Sequence, residues 1–392
     1  MSEPVPLWLD CDPGHDDAFA ILLAAYHPGI KLLGLSTVHG NASLNKTTRN
    51  ALSVLAAIGK HDDIDVFPGA SHGLCRPAVP ATDIHGESGL DGTSLLPPPP
   101  PHRLAKCTAE DHPTAVEAMA KALKECAPGT AWITATGALT NVAALFSAYP
   151  DLKAHIKGLT VMGGSVGDGF TDAVMGVRDG KPRIGNYTQW AEFNVLIDPE
   201  AADAIFSDPV VSGKTTLVPL DLTHLVLATK EVQELLLYGP PTERGREGRP
   251  REGRGRSDLR VMLVELLNFF ASTYRDVFGI TEGPPLHDPL AVAAILTGTE
   301  HEIPFYDYDV KSPEGKNRKE RFSVEVVTKG TLEDARERGT QTGRTIVKLL
   351  PPGSEGVRIP RGLDIPLFWK VIEECCEKAD QANQKILAKP AN

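Results

Sequence analysis

The stretch LDCDPGHDDAFAILLA, residues 9–24, sets four aspartates (Asp10, Asp12, Asp16 and Asp17) within eight positions. Carboxylates so close repel one another, and burying even one is costly unless something positive compensates it. A helix cap accounts for one such residue, because first-turn amides favour negative charge, but not for four. A hard divalent cation does, and an all-oxygen donor set suits calcium or magnesium rather than zinc held by thiolates and imidazoles. Pro13 and Gly14 supply a tight turn between the strand-like VPLWLD and the helical AFAILLAAY, so Asp12 and Asp17 can face one point. A second Asp-Pro pair, in LHDPLAVAAIL at 286–296, puts His287 and Asp288 at another helix start. Without a ligand the same pair reads as an N-cap aspartate beside an incidental histidine.

These residues need a frame. Short β-rich runs (VPLWLD, KLLGLSTV, TAWITAT, LTVMGG, TTLVPLD) alternate with helical patterns beginning near Asp16, Ser43 and Leu139. That alternation predicts an α/β fold, an open doubly wound, mostly parallel sheet with flanking helices. Ligands bind such sheets at the carboxyl ends of strands. The aspartate cluster, TATG at 134–137 and HGN at 39–41 all fall at or just past strand ends, so three distant segments can converge on one crevice. A helix from Asp364 to about Lys378 closes the fold.

The chain has 392 residues, 41% of them hydrophobic, enough for one large domain spanning 1–392. A net charge of −11 argues against nucleic acid as a partner, since phosphate binding requires a basic face. Its apolar runs fall short of the roughly 20 residues that a membrane span needs. Met1 opens onto SEPVPLWLD without a charged-then-apolar leader, and six scattered cysteines show neither a disulfide framework nor zinc spacing. The expected address is the cytoplasm, with nuclear access left open. LLPPPPPHR at 95–103 reads as a polyproline II connection, and SPEGKNRKER at 312–321 as a loop before FSVEVV. Residues 239–257, GPPTERGREGRPREGRGRS, read as a disordered insertion; the interspersed glutamates and lack of aromatics weigh against an RNA-binding arm. GGSVGDG at 163–169 lacks the Lys-Ser/Thr of a P-loop and reads as a strand-end turn. Phe270, Tyr274 and Phe278, four apart on one helix face, read as core rather than as a base-stacking lid.

DCDPGHDDAFAILLA, TVHGN, IHGESGLDG, TATGALTNVA, AEFNVLIDPEA and HDPLAVA follow one another as in the inosine-uridine preferring nucleoside hydrolases, and the chain resembles that family over most of its length. The resemblance implies hydrolysis of the N-glycosidic bond of ribonucleosides to free base and ribose, with calcium as cofactor, uridine or inosine favoured, and a homodimer or homotetramer. It implies calcium held by Asp12, Asp17, the main-chain carbonyl of Thr136 and Asp288, with Asp12 also the general base. Asp16 matches the residue that holds the ribose 2'-hydroxyl, Asn41 one that contacts the sugar and nucleophile, and Asp10 an orienting group. Asn186 and Glu192 are implied for the 5'-hydroxyl and Asn194 for the ribose hydroxyls. Amide and carboxylate side chains do suit hydroxyls that both donate and accept. Departure of the base requires a proton or hydrogen bond, for which His287 is the candidate acid, with His85 also near the base.

Two other classes are compatible with parts of this pattern. A magnesium-dependent phosphatase also uses Asp-x-Asp at a first strand's end, although its nucleophile is normally followed by Gly-Thr rather than by Pro13-Gly14. A non-catalytic nucleoside-binding protein would bind without turnover.

Overall fold

The computed structural model describes residues 3–178, 180–241, 255–309 and 319–388. Its centre is a six-stranded, wholly parallel sheet of β1 (Val5–Cys11), β2 (Ile30–Thr37), β3 (Val66–Pro68), β4 (Trp132–Ala135), β5 (Gly158–Met162) and β6 (Thr215–Val218). The spatial order β3-β2-β1-β4-β5-β6 is that of a doubly wound fold, with the direction of winding reversing between β1 and β4. Register places Asp10 opposite both Ser36 of β2 and Ala135 of β4. The turns that follow β1 and β4, carrying Asp12 and Thr136, therefore open side by side into the switch-point crevice.

Helices seal both faces of the sheet. Helix α1 (Asp17–Tyr26) is apolar on every side and is buried accordingly, with Ala18 to Ala24 no more than 1% exposed. It shares one core with α2 (Leu44–Ala57), α3 (Asp258–Phe278), α4 (Asp288–Ala294) and α5 (Ile365–Leu387). The helices Ala115–Lys124, Thr140–Ala148 and Pro199–Phe206 cover the other face.

The sequence reading needs adjustment at its edges. Helix α5 runs to Leu387 rather than ending near Lys378, because its inward face continues through buried Ala379 and Asp380. The proline-rich connection turns helical at Pro101, where the missing N–H costs nothing in a first turn. Arg103 then anchors that helix to the Ile64 carbonyl and Asp65. Residues 242–254 of the expected insertion and 310–318 around the expected loop lie outside the described residues. Among the described residues no helix is long and apolar enough to cross a membrane.

Candidate active site

The aspartates converge as their spacing suggests, and helix capping does not explain them. Asp16 occupies the N-cap position of α1 and His287 that of α4, yet neither side chain makes a cap hydrogen bond. Oxygens of Asp16, Asp17 and Asp288 come within 4.8 Å of one another, all three residues being buried. Asp12 lies against this trio, its Oδ2 accepting from the Asn41 amide at 2.8 Å and its buried Oδ1 without a partner among the described residues. Gly40 and Gly137 make room for it: a Cβ on Gly40 would lie 1.9 Å from Oδ2, and one on Gly137 2.8 Å from Oδ1. Asp17 accepts from the Gly14 amide at 2.9 Å and the Thr136 hydroxyl at 2.8 Å. Asn41 Nδ2 bridges the Asp12 carbonyl at 3.1 Å and Asp17 Oδ2 at 3.2 Å, so this residue binds the carboxylates together as well as lining the cavity.

Electrostatics show what the cluster lacks. Burial and then the charge of Asp17 push the Asp12 carboxyl well above the usual carboxylate range, and burial followed by Asp16, Asp17 and Asp12 does the same to Asp288. Burial raises Asp17, and burial with the Asp17 charge raises Asp16 to about 7. No lysine or arginine is paired with any of them among the described residues. An orphaned buried oxygen, an all-carboxylate trio and mutually raised pKa values fit a hard divalent cation. Asp16 stands closer to this centre than its assignment to the sugar alone suggests. The Thr136 carbonyl accepts from Asn194 Nδ2 at 2.9 Å and keeps a second lone pair for a cation. Asp10 sits below the site, its Oδ1 taken by Ser36 at 2.5 Å and Asn141 at 2.8 Å. Asp10, like Asp12 and Asp17, is not among the residues lining the adjacent cavity, which Asp16 and Asp288 reach.

Asp16 and Asp288 of the cluster open onto a cavity that Asn41, Thr136, Asn186, Glu192 and Asn194 also line. Glu192 is itself an N-cap, accepting from the amides of Asn194 at 2.8 Å, Val195 at 3.1 Å and Gly164 at 2.8 Å. These amides fill most of its lone-pair positions. Burial raises its pKa to about 7 against those amides. Asn186 Oδ1 accepts from the Phe193 amide at 2.9 Å, and Asn194 directs Nδ2 to the Thr136 and Met162 carbonyls, leaving its Oδ1 for a ligand. The glycine-rich 163–169 turn is no phosphate loop: the Val166 and Gly167 amides are already held by Asp221, at 2.7 and 2.8 Å.

Ile84, His85, Phe270, Tyr274 and His287 also line the cavity, with Tyr274 within hydrogen-bonding reach of the Asn186 side chain. His287 has both ring nitrogens engaged, Nδ1 with the Thr223 hydroxyl at 2.7 Å and Nε2 with the Tyr274 hydroxyl at 2.7 Å. Burial, then His224 and His85, keep its pKa well below the ordinary value. His287 thus lines the cavity with both ring nitrogens engaged by protein groups. His85 ends the short helix Thr82–His85 and pairs with His15, Nδ1 to Nδ1 at 2.9 Å; burial holds His15 near 4 and pushes His85 well below the ordinary value, so both rings are neutral.

Sequence reasoning missed Tyr274. The helix-face pattern of Phe270, Tyr274 and Phe278 does mark burial, at 2%, 6% and 5% exposure, but Phe270 and Tyr274 also form cavity wall. The available signal was the one hydroxyl on that apolar face, which burial obliges to find a partner.

The family profile described as Inosine-uridine preferring nucleoside hydrolase matches residues 7–370. Uridine nucleosidase from Saccharomyces cerevisiae is 38% identical over 96% of this chain and 97% of its own length. The pyrimidine-specific ribonucleoside hydrolase RihA of Salmonella arizonae is 36% identical over 74% of this chain and 79% of its own. A purine-preferring ribonucleoside hydrolase from Gardnerella vaginalis superposes with a TM-score of 0.69 over 96% of this chain and 99% of that one; at 24% identity this speaks to the fold. With a profile match and a full-length relative at this level, the chain belongs to the inosine-uridine preferring nucleoside hydrolase family.

Proposed function

We propose that this protein hydrolyses the N-glycosidic bond of ribonucleosides, uridine and inosine foremost, with calcium in the aspartate cluster. The observation that carries the reading is one cavity walled by a buried carboxylate cluster, by amide and carboxylate groups suited to ribose, and by a Tyr–His pair. Asp12, Asp17, Asp288 and the Thr136 carbonyl would hold the calcium, with Asp16 at its edge. When bound, the ion neutralises the carboxylates and makes a water molecule more acidic.

The chain's own groups do the rest. Asp12, with an unpaired Oδ1, accepts the proton of the attacking water. Asp16, Asn41, Glu192, Asn186 and Asn194 hold the ribose hydroxyls, fixing the anomeric carbon against the nucleophile and countering the positive charge that develops on the sugar. Negative charge grows on the departing base. The Tyr274 hydroxyl has a single hydrogen, so it donates to the base only while His287 donates from Nε2 to the phenol oxygen and accepts at Nδ1 from the Thr223 hydroxyl. Products distinguish the classes: uridine and inosine should give free base and ribose, whereas UMP should not release phosphate. Phosphate release with the glycosidic bond intact would refute the proposal.

A further inference from the structure

His15 lies inside the aspartate motif yet has none of the roles above. Its ring is buried against the Phe269 ring, centroids 4.9 Å apart and planes 8° from parallel, with the edge of Phe270 beside it. Its Nε2 is 2.8 Å from the main-chain oxygen of Asp91. A carbonyl can only accept, so Nε2 carries the hydrogen; the ring is wholly buried with no carboxylate on either nitrogen, which leaves it neutral and presents Nδ1 as an acceptor. That Nδ1 is 2.9 Å from His85 Nδ1, and two lone pairs cannot share such a contact. His85 must donate from Nδ1, which leaves the lone pair on its Nε2. Gly14 closes the Nδ1 edge, where a Cβ would come within 2.7 Å. His85 Nε2 has no hydrogen bond within the described protein and is not sealed from the cavity that the ring lines.

We propose that His15 is a positioning residue that fixes the tautomer of His85, and that His85 Nε2 thereby selects bases presenting a ring N–H, uracil through N3–H and hypoxanthine through N1–H. The proposal rests on the ribonucleoside reading of the cavity. Cytosine N3 and adenine N1 would bring a second lone pair to the same nitrogen. A neutral His85 so arranged has no hydrogen to give the departing base, which separates its task from that of Tyr274.

Nitrogen-15 NMR of histidine-labelled wild-type protein at neutral pH reads the tautomer directly. His85 Nε2 should show the shift of an unprotonated ring nitrogen and His85 Nδ1 that of a protonated one; the reverse overturns the proposal. In kinetics, N3-methyluridine and N1-methylinosine should lose at least about 100-fold in kcat/KM against their parents, since a site built for a donor rejects an analogue lacking it. His15→Phe, which keeps the ring stack, and His85→Phe should both shrink that ratio to within about tenfold. Undiminished discrimination in His15→Phe would also overturn the proposal. The wild-type spectrum decides the tautomer even if a variant does not fold. Failure to hydrolyse any ribonucleoside would instead remove the catalytic reading and leaves the spectrum to judge the His15–His85 pair.

Discussion

Gly40→Ala isolates the placement of Asp12 from its chemistry. The φ of Gly40 lies outside the left-handed region, so alanine imposes no backbone strain there. The added methyl would sit 1.9 Å from Asp12 Oδ2, and ordinary contact begins near 3.4 Å, so the carboxylate has to retreat by 1.5 Å. That retreat breaks the 2.8 Å hydrogen bond from the Asn41 amide and carries Asp12 away from Asp17 and Asp288. A misplacement of about 1 Å in a reacting group costs on the order of 100-fold in rate. Gly40→Ala should therefore lose at least about 100-fold in kcat on every substrate alike, with a smaller rise in melting temperature when calcium is added. Gly213→Ala is the matched control, since its nearest neighbour would be 3.4 Å away. It should stay within about 0.5 kcal/mol of the wild type with normal kinetics. Steady-state kinetics and calcium-dependent melting curves decide the matter. Near-normal kcat and an undiminished calcium shift in Gly40→Ala would show that Asp12 is not held where the chemistry requires it.

Three further outcomes follow from the geometry. Tyr274→Phe should lower turnover of uridine and inosine by about 100- to 10,000-fold, as for loss of a general acid, while p-nitrophenyl riboside, whose leaving group needs no proton, is cleaved at close to the wild-type rate; equal losses on both would assign Tyr274 to sugar positioning. Burial raises Asp16 and Glu192 from 3.8 and 4.5 to about 7, so the metal-free protein holds extra protons between those limits and loses stability as pH rises through that window. Buried His27 and His224, lowered to about 4, act in the opposite sense below 6.5 but enter metal-free and calcium-loaded protein alike. The melting-temperature gain from calcium should therefore be larger at about pH 7.5 than at about pH 5.5, and a gain independent of pH would contradict the carboxylate site. Arg260, fully buried, joins α3 to Asp380 and Glu373 of α5 at 2.6 and 3.0 Å. Arg260→Met should cost about 3–5 kcal/mol by stranding those carboxylates, measured by denaturant unfolding, without raising KM for uridine.

The carboxylate cluster was legible because charge crowding is a local signal: DCDPGHDD holds its repelling groups within one turn, and HDP repeats the arrangement at a second helix start. The strand-helix alternation placed both at the carboxyl ends of a parallel sheet, and the order of β1 and β4 made the crevice between them. What escaped depends on contacts across distance. Tyr274 meets His287 and Thr223 from separate elements, and His15 meets His85 and Asp91 across 70 and 76 positions. Periodicity separates buried from exposed, but a cavity wall and a solid core share the same apolar pattern. Glu192 carried a carboxylate's signature without revealing that three main-chain amides would claim most of it.

The most direct test of the central claim follows base and ribose release from uridine and inosine by exhaustively chelated protein, verified metal-free by elemental analysis, before and after calcium is restored. The account predicts no turnover without metal, recovery of activity and melting temperature together with calcium, and no recovery in Asp12→Asn. Full turnover by the metal-free protein would contradict it.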